Sequence, residues 1–274
     1  MKNITLLITL SLALIFGFIS CDTTNETGGT GTMSVAMTDA PANYDSVNVT
    51  INSVRVNKDE NAETDSTKSD NEAEEEGWVT ITDQSMKVNL LELTNGNTIM
   101  LGTEELEAGT YEQIRFILGD DNTVTVDGQT HDLQTPGSQQ SGLKLNVEAE
   151  VEEGSNYTLL IDFDAARSIV KKGNGGYSLK PVLRAVSLSE TGSISGTVQP
   201  SDFNTNVMAI TGEDTVTSTI TADNGEFLLI GLQAATYDVV FDPSSDQYTD
   251  STQTGIEVTK GEETQLGTIE LNSN

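Results

Sequence analysis

The sequence predicts an all-β protein built as two β-sandwich-like domains, and three observations carry that prediction. Apolar residues recur at period two in runs of four to nine residues, the spacing that places alternate side chains on one face of a strand. Glycine, asparagine and aspartate cluster between the runs, where a chain that reverses direction needs them. Hydrophobic residues make up only 35% of the 274, with 24 glycines, which fits short strands joined by turns.

In chain order, Lys2 precedes an apolar run from Ile4 to Ile19, and Ser20-Cys21 follow. A basic start, an apolar stretch and a small residue before a cut site form a secretory signal. The run is shorter than the roughly 20 residues of a membrane-spanning helix. Cys21 is the only cysteine. Its position resembles the lipidation point of a bacterial lipoprotein, so residues 1–21 read as a lipoprotein signal peptide. Two or more acyl chains hold a soluble domain on a membrane without a helix. Lipidation also consumes the one thiol and leaves no disulfide chemistry. Residues 22–32 are polar and glycine-rich, a flexible tether.

Residues 33–189 read as the first β domain. Met33, Val35 and Met37 alternate, as do Val47, Val49 and Ile51. Val54 and Val56 continue with shifted parity, which predicts a bulge near Asn52-Ser53. Residues 57–77 hold nine acidic residues and no large apolar one, a composition that predicts a disordered loop. Trp78 to Ile81 resume a strand. Asn95-Gly96 and Asp127-Gly128 mark tight turns. Leu143 to Val151 keep strict alternation, and Tyr157 to Phe163 form a nearly continuous apolar strand covered on both faces. Ala165 to Lys172 predict a helix of two turns, and Tyr177 to Leu188 a closing strand.

Residues 190–274 read as a second sandwich, with seven short strands beginning near Gly192. Lys260 is its sole basic residue from Gly192 onward, against 13 acidic ones.

Two stretches resemble known families. Residues 33–188 are similar to the domain-of-unknown-function 4382 family of bacterial lipoproteins, through Thr38-Asp39-Ala40-Pro41, Leu106 to Arg115, Ser141 to Lys144, Asp162-Phe163-Asp164-Ala165, Ser168-Ile169-Val170 and Leu179 to Arg184. That resemblance implies an extracytoplasmic β-rich domain and brings no catalytic residues. Residues 192–271 resemble the carboxypeptidase regulatory-like domain, a transthyretin/Ig-like sandwich grouped with carbohydrate-binding-like folds. The carriers are Gly192 to Val198, Thr221 to Phe227 and Gly231 to Val239.

Composition narrows the chemistry. The chain has 43 acidic and 13 basic residues, a formal charge of −30. Such a surface repels nucleic acid, whose phosphates need Lys and Arg. One histidine and one cysteine leave no His- or Cys-built metal site, and no cofactor is expected. His131 follows a hairpin turn, outside any Ser-His-Asp setting. Asp162 and Asp164 point to one face of their strand and Phe163 to the other. Two readings are open for them: a cation or ligand site, or structural pairing with Lys144, Lys180 or Arg184.

The functional expectation is a non-enzymatic cell-envelope lipoprotein acting in adhesion, surface assembly or ligand capture. It is held by its N-terminal lipid at the outer membrane, with the facing open and a glycan or an envelope protein as partner. The alternative is a carbohydrate-binding accessory lipoprotein of a glycan-uptake system. A hydrolase using paired carboxylates ranks below both.

Overall fold

The computed structural model describes residues 28–58, 77–135, 142–173 and 175–274. The expected signal peptide with Cys21, the tether up to residue 27 and the acidic stretch from 59 to 76 lie outside the described residues. The described chain is nearly all β.

The first unit contains β1 (Thr30–Ala40), β2 (Ser46–Asn57), β3 (Trp78–Thr82), β4 (Met86–Asn89), β5 (Ile99–Glu107), β6 (Gly109–Leu118), β7 (Thr123–Val126), β8 (Gln129–Gln134), β9 (Leu143–Val151), β10 (Asn156–Asp164), β11 (Ile169–Lys171), β12 (Tyr177–Leu179) and β13 (Leu183–Ser187). Its helix, α1, is Ala165–Ser168. A four-stranded sheet runs β13-β10-β1-β5. A nine-stranded sheet runs β11-β12-β8-β7-β2-β6-β9, with β3 and β4 also paired to β2. The second unit contains β14 (Thr191–Gln199), β15 (Thr205–Thr211), β16 (Asp214–Ile220), β17 (Glu226–Gln233), β18 (Ala235–Pro243), β19 (Ser251–Val258) and β20 (Glu263–Glu270). They form sheets β17-β14-β20 and β16-β15-β18-β19.

Two separate apolar cores follow from the alternation. One gathers Met33, Val35, Met37, Leu159, Ile161 and Phe163 with residues of the nine-stranded sheet. The other gathers Ile194, Val207, Phe227, Val239 and Phe241. β1 and β10 are parallel neighbours, with Thr38 opposite Asp162 and Ala40 opposite Asp164. The opposite parity of this pair is also covered: Ala36 and Leu160, with Val186 of β13, pack against Ile230 of the second unit. That is why β10 is apolar at nearly every position. One face builds a core and the other meets a neighbour.

One local device occurs in both units. Leu106-Glu107-Ala108-Gly109-Thr110-Tyr111 and Leu232-Gln233-Ala234-Ala235-Thr236-Tyr237 each carry the chain from one sheet of a unit to the other. In each, the buried tyrosine hydroxyl donates to the carbonyl four residues back, Tyr111 to Glu107 at 3.1 Å and Tyr237 to Gln233 at 2.9 Å. Each leucine is buried beneath its corner.

Several expectations meet the structure directly. The bulge in β2 falls between Ile51 and Ser53. Asn95-Gly96 and Asp127-Gly128 both adopt positive φ. Three expectations change. The helix after Asp164 has one turn, because Ile169-Val170 continue as a strand opposite Leu179 and Ser178, where β-branched side chains pack well. The strand expected from Tyr177 to Leu188 breaks at Lys180-Pro181-Val182: β12 pairs with β8 and β13 with β10, so the chain changes sheets at the proline. The first strand also starts at Thr30, inside the expected tether, where Thr32 N–H donates to Ser155 O at 2.9 Å.

Candidate functional site

The C-terminal ends of β1 and β10 bring three carboxyl groups together. Parallel pairing places Thr38-Asp39-Ala40 beside Asp162-Phe163-Asp164. Asp162 lies on the face that meets the second unit. Its Oδ2 accepts from Arg184 Nη2 at 2.8 Å and from Thr217 Oγ1 of β16 at 3.3 Å. Arg184 sits opposite Asp162 on β13, and its Nη1 donates to Gly231 O of β17 at 2.8 Å. The guanidinium therefore ties a buried carboxylate of the first unit to the backbone of the second. Gly231 has φ 70, and a Cβ there would press on Leu160 and Val186 at 3.2 and 3.3 Å. A glycine suits both the backbone and the close approach.

Asp164 has another role. Its Oδ1 accepts from the Arg167 N–H at 2.8 Å and caps α1. Its Oδ2 lies 3.6 Å from Arg167 Nη1, an outlying contact of a mostly exposed arginine.

Asp39 is the carboxyl that sequence reasoning did not single out. It interrupts the row Met33, Val35, Met37 and is 3% exposed. Its Oδ1 accepts from the Ala165 N–H at 2.9 Å. Burial pushes its pKa up to about 9; the Ala165 hydrogen bond opposes this, and the Asp162 and Asp164 charges reinforce it. Asp39 is thus a neutral acid at neutral pH. The signal available in the sequence was an aspartate at the end of an apolar alternation, within Thr38-Asp39-Ala40-Pro41.

A second tie between the units is the Asn95-Gly96 turn. Leu93 O anchors it by accepting from Asp39 N at 3.0 Å and Thr38 Oγ1 at 2.8 Å. Asn95 N–H then donates to Thr219 Oγ1 at 2.7 Å, and Asn95 Oδ1 accepts from Leu228 N at 2.6 Å. The turn caps an edge of β17 that no strand covers among the described residues.

The expected cations divide. Arg184 joins Asp162. Lys180 does not: it lies exposed at the sheet change, with its backbone N–H on Ser168 O at 2.8 Å. Lys144 does not either, because β9 belongs to the nine-stranded sheet, where Lys144 stands opposite Arg115. Arg55, Arg115 and Lys144 form a cationic row across β2, β6 and β9. Arg115 is buried, 5.7 Å from the ring of Trp78, and Trp78 is itself a core side chain. The His131 ring lies tilted against the Tyr177 ring, with centroids 5.0 Å apart. Among the described residues, no group of three His, Cys, Asp or Glu side chains is arranged to hold a metal ion, and no helix is long and apolar enough to cross a membrane.

Between the units, beside Asp162 and Arg184, lies a cleft of about 570 Å³. Asp164 and Arg167 stand on one side of it and Asn206, Thr215 and Ser218 on the other.

These features define an all-β protein of two sandwich-like units joined through an outer sheet face. The chain belongs to the family described as a domain of unknown function, DUF4382, whose model matches residues 30–181. No curated protein matches it. Among solved structures, a type II cohesin–X–dockerin complex from Acetivibrio cellulolyticus is similar over 30% of this chain and 58% of that one, at 21% identity and a TM-score of 0.25. The TIE protein of Bacillus anthracis is similar over 89% of this chain and 34% of that one, at 13% identity and a TM-score of 0.26. The minor pilin GBS52 of Streptococcus agalactiae is similar over 88% and 96%, at 10% identity and a TM-score of 0.22. The chain therefore spans less than two thirds of the first two. Scores of this size carry no functional information.

Proposed function

We propose that this protein is a non-enzymatic cell-envelope lipoprotein, acylated at Cys21, whose two β units act as one body in adhesion, surface assembly or ligand capture. The observation that supports this reading most is the joint. Arg184 and Asn95 bond the first unit to the backbone of the second and to Thr219 Oγ1, and Leu160 and Val186 pack on Ile230. Two sandwiches tied at separate points resist bending, as a stalk or a presented surface requires. The carboxyl groups that a hydrolase would use have structural partners: Asp162 holds Arg184, Asp164 caps α1 and Asp39 bonds to Ala165. The lipid places the body in the envelope, with the outer membrane as the proposed site.

The test is metabolic labelling with an alkynyl fatty acid in cells that express the full chain. The wild type is expected to carry the label, to fractionate with membranes and to lose its signal peptide. Cys21→Ala is expected to carry none. An unlabelled wild-type chain of full, uncleaved mass in the cytosol would overturn the proposal.

A further inference from the structure

The cleft between the units is lined by three residues that each hold a buried polar atom without a hydrogen-bond partner. These are Asp162 Oδ1 on β10, Arg184 Nε on β13 and Asn206 Oδ1 on β15. Buried polar atoms are nearly always paired, and each exception costs about 1–3 kcal/mol. Three such residues, contributed by both units, line this one cleft. The Asp162 side chain is only 8% exposed, so water in bulk does not relieve it. Arg184 and Asn206 are half-buried and both line the cleft.

The chemistry of the lining selects the ligand. Asp162 and Asn206 oxygens require donors, and Arg184 Nε requires an acceptor. The formal charges balance: Asp162 and Asp164 face Arg184 and Arg167. An anion would meet two carboxylates, and an amine would meet two guanidinium groups. A hydroxyl group both donates and accepts and carries no charge. Pro41, Val182 and Val216 add apolar surface to the same cleft, suited to the C–H face of a ring. Its volume falls in the range of small-molecule sites.

We propose that the cleft between the two units binds a neutral polyhydroxylated ligand, a saccharide unit, through Asp162, Arg184 and Asn206. This deepens the capture role proposed above and rests on it. It does not rest on the lipid, since acylation and saccharide binding can each fail alone.

The test uses the full chain purified in detergent, on an array of neutral mono- and oligosaccharides, followed by titration calorimetry of any sugar that binds. Inorganic phosphate and ethanolamine serve as counter-probes. The expected result is binding of a neutral saccharide, weakened roughly tenfold by Asn206→Ala, as loss of one hydrogen bond predicts, with no fall in the melting temperature of the unliganded protein. Glu263→Gln, on β20 away from the cleft, is expected to leave binding intact. Silence across the array would overturn the proposal and leave ordered water as the partner of these atoms. Binding indifferent to Asn206→Ala would place the sugar elsewhere and overturn it too. So would preferential binding of phosphate or ethanolamine.

Discussion

The two units share a corner and differ in what they bury. Both turn between their sheets through a Leu-x-Ala-x-Thr-Tyr segment with the same tyrosine-to-carbonyl bond. Yet the buried polar residues of the second unit are threonines, Thr191, Thr205, Thr217, Thr219 and Thr221, whereas the first unit buries Asp39, Arg115 and Asp162. Thr191 and Thr221 use their hydroxyls on backbone groups, while Thr217 and Thr219 offer theirs to Asp162 and Asn95 of the first unit. A buried charge or acid needs a partner fixed by long-range topology. The second unit therefore meets the joint with neutral hydroxyls and backbone groups, while the first brings charged groups to it. The same turn chemistry serves both, and the asymmetry lies in the joint.

Breaking that asymmetry at Arg184 gives the largest loss expected from a single substitution. Arg184→Leu removes the partner of Asp162 and the donor to Gly231 O together. Loss of one member of a buried pair costs about 3–5 kcal/mol. Arg184 is 28% exposed and Asp162 8%, so the lower end, about 3 kcal/mol, is expected in urea unfolding. Asp162→Asn leaves the arginine free to reach water and is expected to cost about half as much. If Arg184→Leu unfolds at the same urea concentration as the wild type, the pair does not hold the units together.

The legible part of this fold follows the same division. The strands of the second unit could be read one by one, because each is an alternating segment closed by local turns. Residues Thr221 to Phe227 show this, with Gly225 at φ 83 and its N–H on Ala222 O at 2.8 Å. In the first unit most strands could be read, though β11 was expected within a helix and β12 and β13 as one strand, and their partners could not. Asp162 and Asp164 stood out as a pair two residues apart. Their actual surroundings depend on a parallel pairing with a strand more than 120 residues earlier in the chain, and no local pattern encodes that register. Asp39, Thr217 and Gly231 therefore escaped notice, although Asp39 and Gly231 both lay in segments that carried a family resemblance. Arg184 was one of three candidate cations, and only the sheet change at Pro181 selected it. The equivalence of Tyr111 and Tyr237 was written in the sequence and needed only the two corners set side by side.

Asp39 sharpens the contrast through pH. Its pKa is raised from 3.8 to about 9 in the fold, so the native state keeps a proton that the unfolded chain releases above pH 4. Stability from this group is full below pH 4 and is lost as pH rises toward 9, at about 1.4 kcal/mol per pH unit. Asp39→Asn keeps the acceptor for Ala165 N–H and removes the titration. The variant is expected to lose less stability than the wild type between pH 5 and pH 8. Parallel pH dependence of the two proteins in urea titrations would show that Asp39 is ionised in the fold.

The smallest expected effect tests what the units have in common. Tyr111→Phe and Tyr237→Phe each delete one hydroxyl whose acceptor is a carbonyl at the same spacing, and each leaves a buried ring in place. A hydrogen bond of this kind contributes about 1 kcal/mol. The two surroundings differ in detail. Gly109 holds φ 141 beside the first corner, where the second has Ala235, and Lys58 stands 5.3 Å from the Tyr111 ring. If the corner acts through its own bond, these differences do not matter and the two losses agree within about 0.5 kcal/mol, the usual tolerance for independent sites. If Tyr111→Phe costs markedly more, the first corner depends on its neighbours, and the shared segment is a resemblance of sequence without a shared energy.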